Sequence, residues 1–255
     1  MSLLEIKALN KSFGGLAALM DMNLFIEKGE LVGLIGPNGA GKTTAFNLIT
    51  GVYRPDSGTI TFNGEILNGK SPHLICKKGI ARTFQNIRLF KELTVLENVE
   101  VAFHKDVEYS VLSAIARTPS YFRGEAHIRS QALELLEIFG LQDKINERAG
   151  SLPYGEQRRL EIARAMATKP KLLILDEPAA GMNPLETSEL MKLINWIRES
   201  FDLTILLIEH DMSLVMGVCE RIYVLDFGRV IAQGLPAEIR SNPRVIEAYL
   251  GEEAS

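Results

Sequence analysis

The chain has 255 residues, 46% hydrophobic and 24% charged, which excludes the disordered and low-complexity classes and leaves an ordinary globular protein. With 28 basic and 32 acidic side chains, a net charge of −4, it lacks the basic footprint of a nucleic-acid binder, so no nucleic-acid partner is expected. The longest apolar runs, such as Leu172 to Leu175 and Ile205 to Ile208, are too short to span a bilayer, and no signal peptide is expected at the N-terminus. Any membrane role is therefore expected to run through a partner.

The opening third reads as strands and turns. Leu3 to Leu9 and Met22 to Ile26 carry partly alternating apolar residues, punctuated by Lys28-Gly29-Glu30. Leu31 to Ile35 is a continuous apolar run, the pattern of a strand buried on both faces. A glycine-rich turn then leads into a helix predicted over Thr43 to Ile49. Thr59 to Asn63 alternates like an edge strand, closed by Asn63-Gly64. From Thr94 to Phe139 the pattern becomes helical, with Ala132, Leu135, Leu136 and Phe139 at spacings of three and four, and Arg117-Thr118-Pro119-Ser120 breaks it into pieces. A further helix beyond Gly155 runs through Leu160, Ile162, Ala163 and Met166 until Lys169-Pro170 stops it.

The last third alternates again. Leu172 to Leu175 and Thr204 to Ile208 are predicted as buried strands, with a helix over Leu185 to Glu199 between them. Arg221 to Leu225 and Arg229 to Ala232 form a hairpin around Phe227-Gly228, followed by short helices at Pro236 to Arg240 and Pro243 to Leu250 and a polar tail. Strands alternating with helices predict an α/β core with parallel strands, and the helical middle is then an insertion. Cys76 and Cys219 are too far apart in sequence to suggest a metal or redox pair, so two reduced thiols are expected.

Three segments carry chemistry. Gly36-Pro37-Asn38-Gly39-Ala40-Gly41-Lys42-Thr43 fits the P-loop pattern of glycine, four residues, then Gly-Lys-Ser/Thr, between a buried strand and a helix as that motif requires. Its glycines let backbone N–H groups turn inward around phosphate oxygens, and the helix start adds partial positive charge. Lys42 is assigned to the β- and γ-phosphates and the Thr43 hydroxyl to Mg²⁺. Asp176 and Glu177 close an apolar strand, where adjacent carboxylates are costly unless a cation compensates them. Neighbouring strand residues face opposite ways, so Asp176 is assigned to Mg²⁺ and Glu177 to the attacking water as general base. His210 follows the second buried strand, at the end where sheets of this class bind ligands, and is placed to polarise the γ-phosphate or to hold the water. His73, His104 and His127 lack such a position.

Taken in this order, the three segments resemble an ABC-transporter nucleotide-binding domain. Ser151-Leu152-Pro153-Tyr154-Gly155-Glu156-Gln157 resembles the family's signature segment, usually Leu-Ser-Gly-Gly-Gln, and Arg82-Thr83-Phe84-Gln85 resembles its Q-loop. The resemblance runs from Leu4 to Leu250 and implies a P-loop NTPase core with an antiparallel β subdomain and an inserted α-helical subdomain. The implied boundaries are 1–85 and 160–255 for the core and 86–159 for the insertion. It further implies an ATP hydrolase using Mg²⁺, with Gln85 joining the metal and water shell, Phe13 stacking on adenine, and Thr44 joining Gly36, Asn38, Gly39, Ala40, Gly41, Lys42 and Thr43 around the phosphates. Phe13 also reads as a core aromatic at a strand end. Ala179-Ala180-Gly181-Met182-Asn183 matches the D-loop, with Asn183 where aspartate is usual.

Pro153 and Tyr154 stand where the family has the signature serine and its first glycine. Proline offers neither hydroxyl nor N–H, so Gly155, Glu156 and the helix start, with Ser151 nearby, are left to contact ATP. These departures, with Arg88-Leu89-Phe90, Leu93 to Val99 and Ala248-Tyr249-Leu250-Gly251, resemble the G-type ATP-binding subunit of branched-chain amino-acid importers. That resemblance implies a second ATP-binding subunit (a related F-type chain or a second copy), two membrane permeases, and indirectly a solute-binding protein. It implies a cytoplasmic location, peripheral on the inner face of the cell membrane. A lipid or lipopolysaccharide exporter, a urea or amide importer, and a soluble ABC ATPase are the rival readings. A GTPase ranks last, since Asn10-Lys11 continues to Ser12-Phe13 without the guanine motif.

Overall fold

A computed structural model describes residues 2–107 and 109–253, so Met1, Glu108 and the last two residues of the polar tail lie outside it. The strands are β1 (Ser2–Phe13), β2 (Leu16–Glu27), β3 (Leu31–Ile35), β4 (Ser57–Phe62), β5 (Glu65–Ile66), β6 (Ile80–Arg82), β7 (Leu172–Asp176), β8 (Thr204–Ile208), β9 (Arg221–Asp226) and β10 (Arg229–Gly234). The helices are α1 (Lys42–Ile49), α2 (Pro72–Lys78), α3 (Val95–Phe103), α4 (Val111–Ile115), α5 (Pro119–Ile138), α6 (Tyr154–Met166), α7 (Pro184–Ser200), α8 (Met212–Val218), α9 (Pro236–Arg240) and α10 (Pro243–Glu253). Among the described residues no helix is long and apolar enough to cross a membrane.

The chain divides into two compact units, the first made of Met1–Arg82, Lys171–Glu177 and Ile194–Ser255. Its six-stranded sheet has the order β10-β9-β3-β8-β7-β6. Strands with no polar alternation need cover on both faces; β3, β7 and β8 are buried at every residue and fill the middle of this sheet. From β9 to β6 all neighbours pair in parallel, and only β10 returns antiparallel. The second sheet is antiparallel, in the order β2-β1-β4-β5. Leu4, Ile6, Leu9, Met22 and Ile26 from it join Phe46 and Ile49 of α1 and Leu34, Ile174 and Leu206 of the large sheet in one hydrophobic cluster.

Two turns explain where the strands differ from their predicted forms. β1 and β2 extend past the apolar alternation because Gly14 and Gly15, with φ of 52° and 88°, make a two-residue hairpin turn that keeps the ladder going. β4 is not the predicted edge strand. Asn63 and Gly64 have φ of 49° and 81°, and this tight turn folds β5 back onto β4.

The second unit comprises Thr83–Pro170 and Pro178–Leu193. It contains the expected insertion, 86–159, and adds the rest of α6 and the beginning of α7. Thr94 and Glu97 form a capping box that starts α3, which packs on both α5 and α6. The predicted break falls at Arg117, whose φ is 48°, with Thr118 as N-cap and Pro119 opening α5.

Candidate functional site

The sheet topology sets the site. β3 pairs with β8 and β8 with β7, all in parallel, so the segments after Ile35, Asp176 and Ile208 leave the sheet at one edge. Chain direction alone thus gathers three sequence-distant segments where α/β sheets take ligands.

Between β3 and α1 the glycine-rich loop fits against neighbouring backbone. A Cβ on Gly36 would lie 2.0 Å from the Leu225 carbonyl oxygen, and one on Gly41 2.6 Å from that of Ala18, at φ of 150° and 106°. Only glycine fits either position. Gly39 has nothing within 4 Å of its Cβ position and is exposed, as is Asn38, while Ala40 is buried. No side chain caps the start of α1 at Gly41, so its first amides suit an anion. The Lys42 side chain is buried and folds back over the loop, where Nζ donates to the carbonyls of Pro37, at 2.9 Å, and Gly36. Thr43 is exposed beside it and Thr44 half-buried. A lysine, an uncapped helix start and a glycine cradle fit a phosphate chain.

Asp176 is buried as the last residue of β7 and lies opposite Ile208 in register. Glu177 follows with φ 44°, a left-handed conformation that costs a non-glycine residue about 1–2 kcal/mol, and its N–H donates to the Ile208 carbonyl at 2.8 Å. This turn brings Glu177 to the tip of β8, where its Oε1 is 3.7 Å from His210 Nδ1. The Glu209 carboxylate, 1% exposed, lies 3.9 Å from the same nitrogen, while the His210 side chain is 61% exposed. The two proposed catalytic side chains therefore meet, with the imidazole turned to solvent. Among the described residues no group of three or more His, Cys, Asp or Glu forms a metal cage. The Thr43 hydroxyl and Asp176 carboxylate instead offer hard oxygen donors, which suit Mg²⁺ shared with phosphate oxygens.

Phe13 ends β1 outside the core, 42% exposed. It makes an edge-to-face contact with Tyr53, with ring centroids 5.1 Å apart, and Lys11 Nζ lies 5.2 Å from its ring centre. Tyr53 escaped the sequence reading, because nothing in Thr50-Gly51-Val52-Tyr53 separates a site aromatic from an ordinary turn residue.

Gln85, Gly155 and Glu156 belong to the second unit, whereas Phe13, Lys42, Thr43, Asp176, Glu177 and His210 belong to the first. Pro153 is the N-cap of α6 and contributes no side-chain cap. The Ser151 hydroxyl donates to the Arg148 carbonyl at 2.7 Å, and Glu156 pairs with Lys144 at 2.6 Å. Asn183 fills the D-loop position by capping α7: its Oδ1 accepts from the amides of Leu185 and Glu186, each at 3.0 Å. Its own amide donates to the Glu186 carboxylate at 3.0 Å. An amide oxygen thus caps the start of α7, a position where asparagine and aspartate serve equally well.

Comparison with known proteins gives two family matches: the ABC transporter model over residues 19–180, and the branched-chain amino acid ATP-binding cassette transporter model over residues 229–255. The high-affinity branched-chain amino acid transport ATP-binding protein LivG of Escherichia coli K12 is 50% identical over 250 residues, 98% of each chain. Its counterpart BraF of Pseudomonas aeruginosa is 49% identical over the same span and shares. Among solved structures, the ADP conformation of MJ1267, an ATP-binding cassette of an ABC transporter, superposes with a TM-score of 0.86 at 32% identity, covering 98% of this chain and 99% of that one.

Proposed function

The chain belongs to the ABC transporter family, and from that membership we propose that it is the ATP-binding and ATP-hydrolysing subunit of an importer for branched-chain amino acids. One observation carries the ATPase reading: a phosphate-shaped loop with its lysine, a buried aspartate and a glutamate–histidine pair follow three neighbouring parallel strands. The cargo rests on likeness to LivG and BraF over the whole chain and on the C-terminal match.

ATP lays its phosphates along Gly36, Asn38, Gly39, Ala40, Gly41, Lys42, Thr43 and Thr44. Lys42 leaves the Gly36 and Pro37 carbonyls and turns its ammonium to the β- and γ-phosphates. Phe13 stacks on adenine with Tyr53 at its edge. Mg²⁺ would be held by Thr43 and Asp176, with Gln85 assigned to the metal and water shell by the family pattern, and would supply neutralising charge to the phosphate oxygens. A water oxygen attacks the γ-phosphorus, the bond to the bridging oxygen breaks, and ADP leaves with that electron pair. Glu177 takes the proton from the water, and His210, held beside it, fixes the γ-phosphate or the water in line. Catalysis is then mostly positioning and electrostatics.

Each ATP is closed over by Gly155 and the α6 start of a second ATP-binding subunit, either an F-type relative or another copy. Two permeases receive the motion, a solute-binding protein supplies the cargo, and the chain works at the cytoplasmic face of the membrane. In cells lacking this chain, uptake of labelled leucine, isoleucine and valine should fall to background and return with the wild-type gene. Undiminished uptake of all three would overturn the cargo assignment.

A further inference from the structure

We propose that Arg158 is a positioning residue that locks the Gln85 loop to the signature helix, with the Tyr154 hydroxyl completing its grip. The inference rests on the ATPase reading and adds a mechanical link that the nucleotide motifs do not describe. Arg158 is fully buried in the first turns of α6. Its Nη1 donates to the Phe84 carbonyl at 2.7 Å and to Glu161 Oε2 at 2.9 Å. Its Nη2 donates to the Gln85 carbonyl at 2.8 Å and to the Tyr154 hydroxyl at 3.2 Å. Glu161 extends the hold, since its Oε1 accepts from the Arg88 amide at 3.0 Å, and Arg164 donates to the Arg88 carbonyl. Backbone groups of Phe84, Gln85 and Arg88 are thus tied to side chains of one helix.

Stability alone is a weak reason for such an arrangement, because apolar residues of similar volume often replace a buried ion pair without loss. A planar guanidinium contributes geometry: its rigid fork presents donors from two nitrogens held in one plane, whereas a lysine offers a single freely rotating ammonium. Tyr154 carries the link outward. It occupies the first position of α6, is 43% exposed, and stands where the family pattern has glycine. A Cβ on Gly181, in the D-loop segment, would lie 3.5 Å from its Cε1. The ring therefore lies beside the D-loop turn, close enough to meet a side chain there, while the hydroxyl reaches Arg158. Displacement of the signature start or of that turn passes through Tyr154 and Arg158 to the backbone of Gln85.

The test uses the full chain in its assembled transporter, comparing wild type with Tyr154→Phe, Arg158→Lys and the double variant for melting temperature, kcat and KM for ATP. Tyr154→Phe should melt within about 2 °C of wild type and lose about fivefold in kcat, the scale of one hydrogen bond felt only in the transition state. Its KM should stay within about twofold, since the glycine-rich loop around Lys42 and the Gly155 backbone at the start of α6 keep their groups. Arg158→Lys should lose more, and the double variant should be no worse than Arg158→Lys, because both act through one link. Wild-type kcat in Tyr154→Phe, or losses that multiply in the double variant, would overturn the inference. If Arg158→Lys does not fold, Tyr154→Phe decides alone. A wild-type chain that neither binds nor hydrolyses ATP would instead overturn the ATPase reading.

Discussion

Replacing Arg158 by methionine separates stability from geometry and has a calculable consequence. Methionine fills much of the volume but leaves the Glu161 carboxylate, 1% exposed, without the guanidinium now 2.9 Å away. The carbonyls of Phe84 and Gln85 each lose a donor as well. Breaking a buried pair from one side costs about 3–5 kcal/mol, and a chain of this size loses about 2–4 °C per kcal/mol, so a drop of about 10 °C is expected. The loss should depend on pH. Burial already pushes the Glu161 carboxyl above the ordinary carboxylate range, against the pull of the Arg88 amide and of Arg158. Removing Arg158 raises it further. A group whose folded pKa is raised favours the folded state below its unfolded value, and that contribution disappears as pH rises through the folded value. Relative to wild type, the variant should be weakest near pH 8 and recover toward pH 5. Adding Glu161→Leu should restore the part of the loss at pH 8 that comes from the unpaired carboxylate, but not the bonds of the Phe84 and Gln85 carbonyls or of the Arg88 amide. Calorimetric melting of all three chains at both pH values measures this. A drop under about 2 °C, or a deficit that grows toward pH 5, would refute the reasoning.

Lys42→Ala should weaken ATP binding at least about tenfold, since a charged donor to phosphate is lost, and titration calorimetry would read it; unchanged affinity would remove the loop from the site. Asn183→Ala gives up the two bonds that start α7 and should cost about 1 kcal/mol, or about 2–4 °C of melting temperature, whereas Asn183→Asp keeps an acceptor and should stay near wild type. Equal melting of the alanine and aspartate variants would contradict the capping role. Burial pushes the Cys219 thiol up to about 12, so an alkylating reagent at pH 8 should label half-buried Cys76 well before Cys219. Equal labelling by mass spectrometry would show that the folded chain exposes Cys219.

What the sequence makes legible follows from how local each signal is. Continuous apolar runs identified β3, β7 and β8 because full burial leaves no room for polar residues, and the glycine spacing of the loop is itself a backbone requirement. Short elements escaped: β6 has three residues and α2 and α8 seven each, too few for a period to emerge. Asn63-Gly64 was visible as a stop, but whether it ends a sheet or turns back into it depends on φ at both residues. Asn183 reads in sequence as a lost charge, and only the α7 amides reveal it as a cap. Arg158 and Glu161 read as ordinary charges on a helix. Their burial depends on a loop more than seventy positions away, which no spacing within α6 records.

The central claim is that Glu177 readies the water for a triphosphate gripped around Lys42. Its most direct test is ATP turnover and ATP binding by Glu177→Gln in the assembled transporter, which keeps size and hydrogen bonding but removes the base. Hydrolysis should fall by at least about a hundredfold while the Kd for ATP stays within about threefold. Turnover at the wild-type rate would contradict the account.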